Sequence, residues 1–251
     1  MSDILSITGL TKQYSSPRGK NKILHNLHLT VKSNEFICIL GPSGCGKSTL
    51  LRCIAGFEDY SGEIICNSKV VKKPSVERVM VFQDYNQLFP WKTVEQNIQY
   101  PMKIQGIKDK NDLRCRCEDM LKKVGLYEYR KFYPHELSGG MKQRVAIARA
   151  IALIPQIVLM DEPFAALDAI TRNRLQGELY NISRTENMTV MFVTHNIQEA
   201  ITLGTRILIM NSNGEIVVDE ENNLPHPVRP STKGYGELWD RYSKILQGVD
   251  E

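Results

Sequence analysis

The stretch "GPSGCGKS" at 41–48 carries three glycines, a lysine and a serine in the order G-x-x-x-x-G-K-S. With this spacing a turn can aim successive backbone N–H groups at phosphates, while the lysine reaches the outer phosphates and the hydroxyl is offered to Mg2+. Lys47 and Ser48 are the candidates for the last two tasks. At 157–163, "IVLMDEP" places Asp161 and Glu162 directly after an apolar run. One carboxylate suits a Mg2+ that bridges phosphate oxygens, and the other is free to orient an attacking water. "VMVFQ" (79–83) ends at Gln83, and "TVMFVT" (189–194) leads into His195, so polar groups again follow apolar runs. A second glycine pair lies in "LSGGMKQR" (137–144), just ahead of a segment with helical spacing. Such a helix start presents free N–H groups and attracts an anion. The chain therefore offers two phosphate-seeking features where one nucleotide needs one.

The elements that must position these residues are legible around them. "FICIL" (36–40), "IVLM" (157–160) and "TVMFVT" are near-continuous apolar runs, as strands of a parallel sheet buried on both faces are. In open α/β sheets ligands bind beyond the carboxyl ends of the strands, where all three runs place their polar residues. Earlier, "ILSITGLTKQY" (4–14) and "KILHNLHLTV" (22–31) roughly alternate and predict strands, separated by a polar loop, "SSPRGKNK" (15–22). A helix is predicted from Lys47 over "KSTLLRCIAGF", and another over 169–184 with Asp168 as its N-cap. Asn196 with Glu199 forms an N-x-x-E box that starts a helix just after His195. Between about 86 and 150 the strand-like runs give way to helical ones, including "TVEQNIQY" ahead of Pro101 and "CEDMLKKVGL". Thr93 and Gln96 form a T-x-x-Q box there, and Pro90 holds Phe89 extended. The division expected is an α/β core at 1–85 and 151–221, an inserted helical subdomain at about 86–150, and a proline-punctuated, then helical, extension at about 222–251.

Composition narrows the partners. The 251 residues carry a formal charge of only +4, without the concentrated basic stripe of a nucleic-acid-binding domain, so no nucleic-acid partner is expected. No apolar run approaches the ~20 residues that span a bilayer, and "MSDILSITGL" lacks the features of a secretory signal, so the expected compartment is the cytosol. Cys38, Cys45, Cys53, Cys66, Cys115 and Cys117 lack zinc or disulfide-framework spacing and read as reduced.

Taken in order, "GPSGCGKST", "VFQD", "LSGGMKQR", "IVLMDEP", "AALD" and "VTHN" make the chain resemble the ATPase subunit of an ATP-binding-cassette (ABC) transporter, from Ile4 to about residue 220. The resemblance implies an α/β P-loop NTPase core with an N-terminal antiparallel β subdomain and an inserted α-helical subdomain. It also implies that Gly41, Pro42, Ser43, Gly44, Cys45, Gly46, Lys47, Ser48 and Thr49 bind the phosphates of ATP, and that Tyr14 stacks on adenine. Ser48, Gln83 and Asp161 would serve Mg2+, Glu162 would be the catalytic glutamate, His195 the switch histidine, and Asp168 part of the D-loop. Leu137, Ser138, Gly139, Gly140 and Met141 would act in trans on the nucleotide of a second copy in a head-to-tail dimer, which answers why one chain carries two phosphate-seeking features. Met141 stands where the family usually has glutamine. "LFPWKTVEQNI" (88–98) most resembles importers of nitrate, sulfonates, taurine and related small solutes. Phe89 and Trp91 would then receive a coupling helix of the transmembrane permease, with a separate solute-binding protein as a further partner and the cytoplasmic face of the membrane as the location. Trp91 has a second reading as a core aromatic. For the chain as a whole, the rival reading is a soluble cassette ATPase working with an iron–sulfur assembly scaffold. Cassette ATPases of DNA repair carry long coiled-coil insertions, and those of translation carry two cassettes, neither of which this chain has.

Overall fold

The computed structural model describes residues 3–16, 19–165 and 167–249. Its first half runs β1 (Asp3–Ser16), β2 (Gly19–Lys32), β3 (Phe36–Leu40), α1 (Lys47–Ala55), β4 (Ser61–Cys66), β5 (Lys69–Val70) and β6 (Arg78–Val81). Three helices follow, α2 (Val94–Ile104), α3 (Lys110–Lys123) and α4 (Gly139–Ile151). The chain then returns to alternation with β7 (Ile157–Asp161), α5 (Ala169–Thr185), β8 (Thr189–Val193), α6 (Ile197–Leu203), β9 (Arg206–Met210), β10 (Ile216–Glu221) and α7 (Tyr235–Val249).

These strands form two sheets. The smaller, in the order β2-β1-β4-β5, is antiparallel. The larger has the order β10-β9-β3-β8-β7-β6, parallel throughout except for β10 at its edge. The three apolar runs are thus adjacent strands, β3, β8 and β7. Their side chains alternate between two cores: Phe36, Cys38 and Leu40 of β3 face the helices α2 to α7, while Ile37 and Ile39 face α1 and the antiparallel sheet. Burial on both faces is the reason the runs are uninterrupted. Residues of α2, α3 and α4 share one core with the sheet, so the helical segment is packed onto the α/β layer and has no separate interior.

Three local expectations need correction. The polar stretch 15–22 is mostly strand, with Ser15 opposite Lys20 and Ser16 opposite Gly19, leaving only 17 and 18 outside the described residues. α2 does not end ahead of Pro101 but continues through it to Ile104, with Met102 fully buried. Proline forfeits one hydrogen bond there, and the packing of the next residue outweighs that local preference. The Asn196 box is half formed: Asn196 accepts from the backbone of Gln198 and Glu199, but the Glu199 side chain turns inward instead of back to the cap. By contrast, the box of Thr93 and Gln96 is complete, and Asp168 caps α5 through Thr171 N at 3.0 Å.

Candidate functional site

The carboxyl ends of β3, β7 and β8 open on a cleft of about 480 Å³ lined by Tyr14, Ser43, Gly44, Gly46, Lys47, Ser48, Thr49, Gln83, Glu162 and His195. The loop 41–46 connects β3 to α1 and needs its glycines for two different reasons. At Gly41 an added Cβ would lie 2.6 Å from the Met210 carbonyl oxygen, and Gly46 has φ 106° at the entry to the helix. Lys47 is buried, and its Nζ donates to the carbonyls of Gly41 (2.7 Å) and Pro42 (2.6 Å), which holds the ammonium at the mouth of the loop.

Ser48, Gln83 and Asp161 line an adjoining recess of about 400 Å³. Ser48 Oγ donates to Asp161 Oδ1 at 2.8 Å. Burial pushes the Asp161 carboxyl above the usual carboxylate range, against the pull of that hydrogen bond. A hydroxyl, an amide and one carboxylate are hard oxygen donors, too few to cage an ion unaided. That suits Mg2+, which keeps waters and shares its shell with phosphates. The donor set therefore fits the metal.

Glu162 has φ 45°, a left-handed conformation that costs a residue with a Cβ about 1–3 kcal/mol. Its amide donates to Val193 O at 3.0 Å, tying the turn to β8. Its carboxylate lies between two polar groups: Oε2 accepts from Gln83 Nε2 at 3.2 Å and is 3.1 Å from His195 Nδ1. Residues 83, 162 and 195, remote in sequence, are thus gathered on one oxygen.

The "LSGG" residues do not line this cleft. Ser138 is exposed and caps α4, accepting from Met141 N at 3.3 Å, and Gly139 and Gly140 form the helix start behind it. Of the donors that a helix start leaves without a helical partner, Ser138 takes only that of Met141, and this helix start lies outside the lining of its own cleft. Leu137 is buried beneath it. Asp168 is likewise spent on its own helix cap.

Trp91 is 70 % exposed, so its reading as a core aromatic is wrong. Phe89 is half-buried, 5.7 Å from the Trp91 ring and 5.2 Å from Tyr100. Asn97, fully buried, holds this loop in place: its Oδ1 accepts from Phe89 N, and its Nδ2 donates to the carbonyls of Phe89, Lys92 and Thr93.

Several residues that support the site carried no sequence signal. Gln143 of α4 donates to Phe82 O at 3.1 Å and Gln87 donates to the same oxygen at 3.0 Å, anchoring the backbone next to Gln83 from the signature helix. Lys12 and Glu58 sit behind Tyr14. Among the described residues, no group of three or more His, Cys, Asp or Glu side chains could hold a metal, and the cysteines are free.

The chain is similar to known proteins along most of its length. A family model described as "ABC transporter" matches residues 24–165. An aliphatic sulfonates import ATP-binding protein of Bacillus thuringiensis is 42% identical over 245 residues, covering 97% of this chain and 94% of that one. A nitrate import ATP-binding protein of Synechocystis is 42% identical over 223 residues, covering 88% and 83%. A bicarbonate transport ATP-binding protein of the same organism is 40% identical over 223 residues, covering 88% and 79%. Among solved structures, a dimeric post-hydrolysis state of an ATP-binding cassette bound to ADP and Pi superposes with a TM-score of 0.80 at 32% identity, covering 87% of this chain and 99% of that one.

Proposed function

Since this chain belongs to the ABC transporter family, it is an ATP-binding and ATP-hydrolysing subunit that energises import of a small solute through a membrane transporter, and we propose that it works through the following assignments. The loop Gly41–Thr49 binds the phosphates, and Lys47 exchanges its two carbonyl partners for phosphate oxygens. Tyr14 stacks on the adenine. Ser48, Gln83 and Asp161 hold Mg2+, which when bound neutralises charge developing on the phosphate oxygens. Glu162 accepts a hydrogen bond from the attacking water and orients it, and His195 and Gln83 fix the carboxylate for that task.

Catalysis needs a second copy. The observation that carries this is the placement of Ser138 at an exposed helix start, outside the lining of its own cleft. In the head-to-tail dimer that we propose, residues 137–141 of one copy close on the phosphate held by the other, with Asp168 at the join. The segment 86–150 acts as a helical subdomain, between the core segments 1–85 and 151–221, and 222–251 is an extension. Phe89 and Trp91 dock the transmembrane permease, and a separate solute-binding protein delivers the solute. The relatives' names favour the importers of sulfonates, nitrate and bicarbonate, and lend nothing to an iron–sulfur scaffold partner. We place the subunit peripherally on the cytoplasmic face, as the import relatives favour; no helix among the described residues is long and apolar enough to cross a membrane.

The test is Glu162→Gln. Loss of the oriented water should slow hydrolysis roughly 10²–10⁴-fold while ATP still binds, and the stalled protein should run as a dimer on size exclusion with ATP and as a monomer without it. Near-normal turnover in this variant would remove Glu162 from the role assigned to it.

A further inference from the structure

Tyr14, the aromatic wall of the cleft, is braced from behind. Lys12 lies two residues earlier on β1 and is only 8% exposed, an unusual fate for a lysine. Its Nζ donates to Asp59 O at 2.6 Å, lies 2.9 Å from Glu58 Oε2, and sits 4.8 Å from the centroid of the Tyr14 ring. The Tyr14 side chain also acts to lower the Glu58 carboxyl. One carboxylate thus holds the cation that lies over the ring. Asp59 and Glu58 follow α1, the helix whose first residues, Lys47 and Ser48, belong to the phosphate loop. The cluster therefore links the strand that carries the aromatic to the helix that carries the phosphate site.

The pair stays charged. The hydrogen bond from Lys12 holds the Glu58 carboxyl below its usual range. Burial acts to lower the Lys12 ammonium, but the Glu58 hydrogen bond and charge outweigh it and leave it raised.

We propose that Lys12 and Glu58 are positioning residues for the base of the nucleotide, fixing the plane of the Tyr14 ring and its distance from the phosphate loop. This rests on the reading that Tyr14 stacks on adenine. A tyrosine at a cleft edge would otherwise have to be ordered each time a base binds. A cation over one face, itself held by a carboxylate, orders it beforehand, and preorganisation of this kind strengthens binding without adding a contact to the ligand. The phosphates are held by other groups, so the effect is confined to the base. A salt bridge that merely glued β1 to the loop after α1 would act on the whole fold and not on one end of the ligand.

The experiment measures ATP, CTP and inorganic tripolyphosphate binding to the full chain carrying Lys12→Met, Lys12→Arg, Glu58→Gln or Tyr14→Ala. Lys12→Met and Glu58→Gln are expected to weaken ATP about tenfold, narrow its preference over CTP, and leave tripolyphosphate unchanged. In turnover assays KM should rise by more than kcat falls. Lys12→Arg keeps the cation and should restore most of the loss. In a Tyr14→Ala background, Lys12→Met should have no further effect on ATP. If Tyr14→Ala leaves ATP affinity intact, the stacking reading itself fails. If Tyr14→Ala weakens ATP but Lys12→Met and Glu58→Gln do not, or if they weaken tripolyphosphate equally, the stack stands and the positioning role is overturned. Should Lys12→Met fail to fold, Glu58→Gln and Lys12→Arg decide the matter by the same base-against-phosphate comparison.

Discussion

At Glu199 the carboxyl is buried against Thr194, whose hydroxyl donates to Oε2 at 2.5 Å, and Gln176, whose amide donates to Oε1 at 3.2 Å. Burial raises its pKa despite these bonds and the charge of Arg172. A carboxyl whose folded pKa lies above its unfolded value contributes stability at low pH and loses it as the pH rises through the folded value. At neutral pH the ionised side chain is therefore a net cost. Glu199→Gln, which keeps an acceptor and removes the charge, is expected to melt at or above wild type at pH 7.5, with the difference shrinking as the pH falls into the acid range. Glu199→Ala should melt lower at every pH, since it leaves the Thr194 hydroxyl and Gln176 amide without a partner, at about 1–3 kcal/mol each. Thermal unfolding across that pH range checks both, and a Gln variant less stable than wild type at pH 7.5 would mean that the charge is welcome there. Thr194 precedes His195, so this buried acid also holds the corner from which the histidine reaches Glu162.

Among the elements, the turn from β6 into α2 joins the nucleotide site to the helical segment, and Asn97 is its fastener. Asn97→Ala removes the partners of Phe89 N–H and of three carbonyls, which should cost at least about 2 kcal/mol and release the loop. Phe89 and Trp91, by contrast, make ring contacts at the surface, and their replacement by Ala costs the fold little. The double variant Phe89→Ala/Trp91→Ala should keep the basal ATPase of the isolated subunit, weaken assembly with the permease, and abolish solute-stimulated turnover. Co-purification with the membrane subunits and reconstituted transport measure this. Normal assembly and transport would return these aromatics to a merely local role. The helix start after Thr93 was legible from its box. The clasp by Asn97 was not, because a polar residue at a helical position looks the same in sequence whether it faces water or holds a loop.

For the whole molecule, the prediction concerns completeness. One chain has a full phosphate loop and a full signature helix, but its cleft is not lined by its own signature. A Ser138→Arg subunit keeps a working phosphate loop, and a Lys47→Ala subunit keeps a working signature. Each alone should be inactive. Mixed in equal amounts, they form one intact composite site per mixed pair, and random pairing in a two-fold dimer returns about a quarter of wild-type ATPase. Inactive mixtures, with active wild-type mixtures alongside, would count against a shared site.

The candidate site was legible in the sequence wherever its residues are close along the chain or follow directly on a strand. The loop 41–49, the carboxylates after β7 and the histidine after β8 are local patterns. Long apolar runs already require a buried parallel sheet, and such a sheet has one end where ligands bind. Tertiary structure alone decided which distant groups meet. Lys12 reads as a solvated strand lysine until Glu58 and Asp59, 46 and 47 positions on, close over it. Gln143 reads as a helix surface residue until it reaches Phe82 O, 61 positions back. Glu199 reads as a cap until the buried Thr194 and Gln176 claim it. In each case the partner is chosen by packing, since a buried polar group must find whatever complementary atom the fold brings within hydrogen-bond reach, and no local spacing records that choice.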